Sequence, residues 1–143
     1  MSRAVLDPNV IISALLSPMG STAHVLQAWE KGKFELVASP ALLQELQRAL
    51  AYPKLRRRIS EQDAESVVRW LRESATLASD AAEAPPIRSE DPGDDYLIAL
   101  AASRQAVLVS GDKHLLDLAD RIPVLDPTAF LKHLSQREDA TGG

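Results

Sequence analysis

Six acidic positions carry the first sign of chemistry: Asp7, Glu45, Asp91, Asp94, Asp95 and Asp112. Asp7 follows the apolar run Ala4-Val5-Leu6, and Asp112 follows Ala106-Val107-Leu108-Val109 and a Ser110-Gly111 turn. Short apolar runs of this kind read as buried strands, and open parallel sheets place their sites beyond the carboxyl ends of such strands. Asp91, Asp94 and Asp95 stand at i, i+3 and i+4, so they are neighbours on one helical turn. Glu45 sits in a helical stretch otherwise dominated by Leu42, Leu43, Leu46 and Leu50. Carboxylates that converge repel one another unless a cation is present. Mg²⁺ or Mn²⁺ answers that need, because a hard divalent ion favours oxygen ligands and keeps several waters. Such an ion polarises a phosphodiester and lowers the pKa of bound water, and a pair of ions about 3.5–4 Å apart also stabilises the leaving oxygen.

Each acid also has a plainer role. Asp7 suits a strand-end turn, and Glu45 suits a solvated helix face. Asp91 reads as an N-cap before Pro92. Asp94 and Asp95 are favoured by the dipole at a helix start. Asp112 can cap a short helix after Gly111, a role compatible with metal binding.

The elements that must position these residues follow from punctuation. Pro8 cannot sit inside a central ladder, so the first strand stops at Asp7. A short buried helix over Val10–Leu16 follows, with Asn9 as a candidate cap. A second helix starts at Ser21 or Thr22, carries Val25, Leu26 and Trp29 on one face, and stops at Gly32. Phe34–Ala38 is a strand, and Ser39-Pro40 reads as an N-cap and first helical residue. A helix is expected around Tyr52–Ile59, another from Ser60 with Val67, Val68 and Leu71 inward, and a short strand at Thr76–Ala78. A loop covers residues 81–89, and Asp91-Pro92 opens a helix to about Arg104. Ile122–Leu125 is a strand placed at the sheet edge by Pro123, and Asp126-Pro127 caps a helix through Leu134. The expected fold is α/β, a three-layer α/β/α sandwich around a mainly parallel sheet. It forms a single domain over residues 1–135, with a flexible polar tail over 136–143.

Composition narrows the classes further. The chain has 143 residues, 16 Lys+Arg against 20 Asp+Glu, and a net charge of −4, so bulk electrostatics do not bind nucleic acid. A local basic patch must do so, and Lys54, Arg56, Arg57 and Arg58 form the only dense run. That run either holds phosphates or is a solvated helix face. The absence of cysteine excludes disulfides, thiolate zinc sites and a cysteine nucleophile. His24, His114 and His133 are not at metal-ligand spacing, and no glycine-rich phosphate loop occurs. No segment approaches the ~18 apolar residues of a membrane span. No membrane partner and no signal peptide are expected, and a cytoplasmic location is.

Taken in order, four segments resemble the PIN-domain family. They are Val5–Leu16, Ser39–Leu46, Asp91–Ala101 and Val107–Leu116. The resemblance spans about Ala4 to Leu134 and is closest to the VapC-like toxins of bacterial type II toxin–antitoxin pairs. It implies a Mg²⁺- or Mn²⁺-dependent endoribonuclease. Asp7, Glu45 and Asp95 would be its core metal-site acids and Asp112 the fourth, with Asp94 as second choice for the third. Asn9 and Ser110 would support them through hydrogen bonds. It further implies a small antitoxin that covers the cleft, and a homodimer. The family usually has threonine or serine where this chain has Pro8. That departure motivates an alternative, a PIN-like module that binds RNA or protein without cutting. A phosphatase of the haloacid dehalogenase type, with Asp7 as nucleophile, ranks lower, because Asn9 stands where its acid/base aspartate is needed.

Overall fold

The central strand is the most apolar segment of the chain and the one that organises the rest. In a computed structural model that describes residues 1–142, β1 (Arg3–Leu6) lies in the middle of a five-stranded sheet. The order is β3 (Thr76–Leu77), β2 (Glu35–Ala38), β1, β4 (Val107–Val109), β5 (Val124–Leu125), and every pairing is parallel. Ala4, Val5 and Leu6 are all 0% exposed. Successive strand residues point to opposite faces, so both faces of the sheet are covered, as parallel sheets require. The expected α/β sandwich is thus the fold. Pro123 precedes β5 at one edge, where a missing N–H costs no ladder bond.

The order reverses at β1, which has β2 on one side and β4 on the other. Leu6 is in register with Val109, and the Asp7 N–H donates to the Val109 carbonyl at 2.9 Å. The carboxyl ends of β1 and β4 therefore lie side by side at the switch point, the place where α/β sheets bind ligands.

Helices launch from these strand ends. α1 (Pro8–Leu16) starts with Pro8 at its first position, and the cap is Asp7 rather than Asn9. Proline fits there because its fixed φ is helical and the missing N–H has no partner in the first turn. α2 (Ser21–Glu30) is capped by the Gly20 backbone without a side-chain bond, so neither Ser21 nor Thr22 is the cap. It ends before Gly32, whose φ of 74° is the left-handed stop that glycine supplies. α3 (Pro40–Leu50) is capped by fully buried Ser39, and Asp80 accepts a further first-turn N–H, that of Ala41, at 2.8 Å. The helix expected over residues 52–59 is a single turn, α4 (Pro53–Arg56). α5 (Glu61–Ser74) starts at the Ser60 cap as expected. Asp91 opens only a 3₁₀ turn, Pro92–Asp94, and α6 (Asp95–Ser103) begins after it. α7 (Lys113–Leu116) is one turn.

α1 packs on α2 and α3, α2 on α8 (Pro127–Gly142), α3 on α5, and α6 on β1 and β4. Trp29 of α2 and Trp70 of α5 pack with ring centroids 4.4 Å apart and planes tilted by 35°, and Phe34 meets Phe130 of α8 edge-on at 5.0 Å. α8 continues over residues 136–142, past the expected domain end at 135, and Glu138 on it pairs with Lys33. Residue 143 lies outside the described residues. Among the described residues no single helix is long and apolar enough to cross a membrane.

Candidate functional site

Asp7 is 4% exposed and both of its carboxylate oxygens are engaged. Oδ1 accepts the Asn9 N–H at 3.0 Å, and Oδ2 accepts the Ser110 hydroxyl at 2.8 Å. Ser110 is 0% exposed, and its Oγ in turn accepts the Asp112 N–H at 3.0 Å. One hydroxyl therefore fixes the residues after β1 and β4 relative to each other. Asn9 supports Asp7 through its backbone, while its side chain is exposed and lines the adjoining cleft. Asp112 caps α7, with Oδ1 accepting the His114 N–H at 2.9 Å. Burial pushes the Asp7 carboxyl above its usual range. The bonds from Asn9 and Ser110 oppose the rise, and the charges of Asp112 and Glu45 add to it.

The third motif supplies Asp94, not Asp95, to this group. Asp95 is 7% exposed and turned to its own loop, where its carboxylate accepts the Ser89 N–H at 2.7 Å and pairs with Arg88. Burial alone works to raise its pKa, but the Ser89 bond and the Arg88 guanidinium outweigh it and hold the carboxyl below its ordinary value. Asp94 is half-buried and faces the other acids. Burial, then the charges of Asp7, Asp91, Asp112 and Glu45, push its pKa up to about 6. Consecutive residues at a helix start point in directions roughly 100° apart, so only one of the pair can face the sheet end. Asp91 performs the expected cap, accepting the Gly93 N–H at 2.9 Å.

Glu45 comes from α3 and is exposed. Its charge is felt at Asp7 and Asp94, while its Oε2 pairs with Arg48 at 3.2 Å. An exposed pair of this kind contributes only about 0–1 kcal/mol, so Glu45 turns readily. Among the described residues no three acid or histidine side chains stand close enough to hold one ion as they are placed. The donor set nevertheless fits a hard divalent cation in kind. It is all carboxylate, the charges of its members raise the pKa of Asp7 and of Asp94, and His114, two residues from Asp112, is paired with Glu90 at 2.7 Å. Neutral-nitrogen and thiolate metals have nothing to bind here.

Two contributors were not visible in the sequence reading. Arg88 neutralises Asp95 from an irregular loop, and no periodicity marks such a position. Tyr96 has a buried hydroxyl with no hydrogen-bond partner. Burial, then the charges of Glu45, Asp7, Asp94 and Asp80, push its phenol well above the ordinary range, so it stays protonated beside the acids. Its place directly after the acid pair was the available signal. The basic run divides. Lys54, Arg57 and Arg58 are exposed, but Arg56 is half-buried in a pocket with Gln47, Glu61 and Glu65, and its Nη1 lacks a partner.

Comparison with known proteins agrees with this fold. A family profile described as "PIN domain" matches residues 3–114. An uncharacterized protein of Methanocaldococcus jannaschii is 29% identical over 122 residues, covering 82% of this chain and 76% of that one. The crystal structure of PAE2754 from Pyrobaculum aerophilum superposes with a TM-score of 0.63 at 19% identity, covering 94% of this chain and 98% of the other. VapBC2 from Rickettsia felis, solved bound to a DNA fragment from its promoter, gives 0.57 at 15% identity, covering 87% and 98%.

Proposed function

The chain belongs to the PIN-domain family, and on that premise we propose that it is a divalent-metal-dependent endoribonuclease, the toxin component of a toxin–antitoxin pair. The observation that carries this reading is a buried aspartate at a sheet switch point, electrostatically coupled to acids from separate elements. Asp7, Asp94, Asp112 and Glu45 would hold the ion, which is Mg²⁺ or Mn²⁺ on the chemistry of the donors. When bound, the ion supplies charge neutralisation at the phosphodiester and a nucleophile at neutral pH.

The chain's own residues prepare that chemistry. Ser110 and the Asn9 N–H orient Asp7 and favour its ionised form against burial. The Arg88–Asp95 pair and the Ser89 bond clamp the loop before α6, which leaves Asp94 facing the cluster. Asp94 must lose its proton to ligate, so metal affinity rises as pH passes about 6. Tyr96 offers a protonated donor beside Glu45. Lys54, Arg57 and Arg58, exposed on and after α4, would hold RNA phosphates outside the acidic site, while Arg56, half-buried, would serve the fold. Pro8 is compatible with this role, because the Asn9 N–H still reaches Asp7. A partner antitoxin, a homodimer and a cytoplasmic location complete the reading, the first supported by the likeness to VapBC2.

The test is cleavage of labelled single-stranded RNA with Mn²⁺, with EDTA, and by Asp7→Asn. Cleavage that needs Mn²⁺ and is lost in Asp7→Asn is expected. Full cleavage by that variant, or cleavage in EDTA, refutes the assignment. The Glu45–Arg48 pair favours a second reading, a binding module that does not cut. Calorimetry decides between them, since such a module takes up no Mn²⁺ at millimolar concentration.

A further inference from the structure

A cleft of about 410 Å³ opens beside the acids. It lies within the ~300–1,000 Å³ range of small-ligand pockets. It is built from α1, the start of α2, the turn after β4 and the start of α8. Its polar groups are the Asn9 amide, the Ser13 and Thr22 hydroxyls and the Asp112 carboxylate, with Val10 and Pro127 as apolar walls. The Thr22 hydroxyl donates to the Ser13 Oγ at 3.1 Å. That leaves the Ser13 proton and the Thr22 lone pairs for a ligand. The Asn9 side-chain amide makes no hydrogen bond among the described residues while its backbone N–H holds Asp7.

The charge of the cleft decides what it can take. No lysine or arginine is among the described residues that line it, and its one ionisable group is Asp112. A phosphate is therefore repelled. A neutral ligand with both donors and acceptors, and a face for apolar contact, is accepted. Single-stranded RNA presents such a group next to every phosphate, as a base splayed from its sugar.

We infer that this cleft binds the nucleoside adjoining the cleaved phosphate, through the Asn9 amide and the Ser13 and Thr22 hydroxyls. The inference rests on the nuclease reading for its position in the reaction, but the binding stands by itself. Asp112 borders both sites, so a seated nucleoside sets its phosphate against the acids. Gly111 offers a direct test of occupancy. Gly111 lines the cleft and a Cβ placed there meets no heavy atom within 4 Å, so a larger side chain is expected to take up cleft space.

The experiment titrates adenosine, cytidine and uridine into the full chain without metal, followed by amide NMR. Progressive shifts of the Ser13, Thr22 and Gly111 signals are expected at millimolar nucleoside, and their loss in Gly111→Leu. A Ser13→Ala/Thr22→Val variant is then assayed on single-stranded RNA. Two lost hydrogen bonds predict a KM raised roughly tenfold with kcat little changed. The inference is overturned if none of the nucleosides moves those amides, or if both variants keep the wild-type KM. If the wild-type protein cleaves no RNA but nucleosides still shift those signals, the subsite stands and the nuclease reading falls.

Discussion

Replacing Asp94 with asparagine should stabilise the metal-free protein at neutral pH. Its carboxyl pKa stands at about 6 against an ordinary 3.8, first through burial and then through the charges of Asp7, Asp91, Asp112 and Glu45. At ~1.36 kcal/mol per tenfold change in acidity, that rise corresponds to about 3 kcal/mol. Asp94 is only partly buried, and solvent screening lowers the value to about 1.5 kcal/mol. Attraction of the charge to the α6 dipole works the other way by roughly 0.5 kcal/mol. The net gain expected for Asp94→Asn is about 1 kcal/mol at pH 7.5, or about 3 °C in Tm for a domain of this size. The folded form binds the Asp94 proton more tightly than the unfolded chain does. The penalty is therefore small below the ordinary carboxyl range, grows as pH rises through about 6, and is complete above it. The gain should accordingly shrink toward pH 4. Mn²⁺ should reverse the order, because an ion at 100 times its Kd adds about 2.7 kcal/mol to the wild-type protein and much less to the variant. The assay is a set of thermal melts in EDTA and in Mn²⁺ across that pH range. A variant less stable than wild type in EDTA at pH 7.5, or stabilised equally by Mn²⁺, refutes the placement of Asp94 among the metal-site acids.

Asp95→Asn should do the opposite, losing about 2 kcal/mol at neutral pH because the Ser89 N–H and Arg88 lose a charged acceptor. Since the Asp95 pKa is lowered, that loss fades as pH falls through the lowered value, as urea midpoints at two pH values will show. Ser110→Ala should weaken Mn²⁺ binding about 10- to 100-fold by calorimetry, because one hydroxyl orients Asp7 and holds the Asp112 backbone. Gln105→Gly should raise stability by about 0.5–1 kcal/mol in urea, because φ of 53° suits glycine after a helix end. Alanine at Lys54, Arg57 and Arg58 together should lower the salt slope of RNA binding by about 2, at ~0.7 per phosphate contact on a single strand. Alanine at half-buried Arg56 should leave that slope in place.

The parts of the fold that read clearly from sequence are those where a local rule and the tertiary environment agree. The run Ala4-Val5-Leu6 is apolar without interruption because both of its faces are covered. Ser39-Pro40 and Ser60 carry cap chemistry, and helices start there. Position 7 misled in detail, since Asn9 and Asp7 are both capable caps and only the backbone path selects Asp7. The choice between Asp94 and Asp95 was beyond the sequence for a different reason. Adjacent acids share propensity and dipole preference, and what separates them is Arg88, a residue in a loop with no period to reveal it. Arg56 looked like its neighbours for the same reason. Charge patterning shows a basic run but not which member turns inward.

The site divides into a fixed half and a movable half. Asp7 and Asp112 are joined through buried Ser110 and anchored by backbone bonds at the ends of β1 and β4. Asp94 rides on a helix start whose loop is held by the Arg88–Asp95 pair, and Glu45 is held only by an exposed pair with Arg48. Ordering the fixed half is part of folding, because the Ser110–Asp7 bond at its centre is buried. Ordering Glu45 needs only side-chain rotation against an exposed pair of about 1 kcal/mol or less, which a divalent ion at roughly five times its Kd would offset. On the proposed reading, Glu45 is the acid that folding leaves unclamped, and it would turn toward the ion.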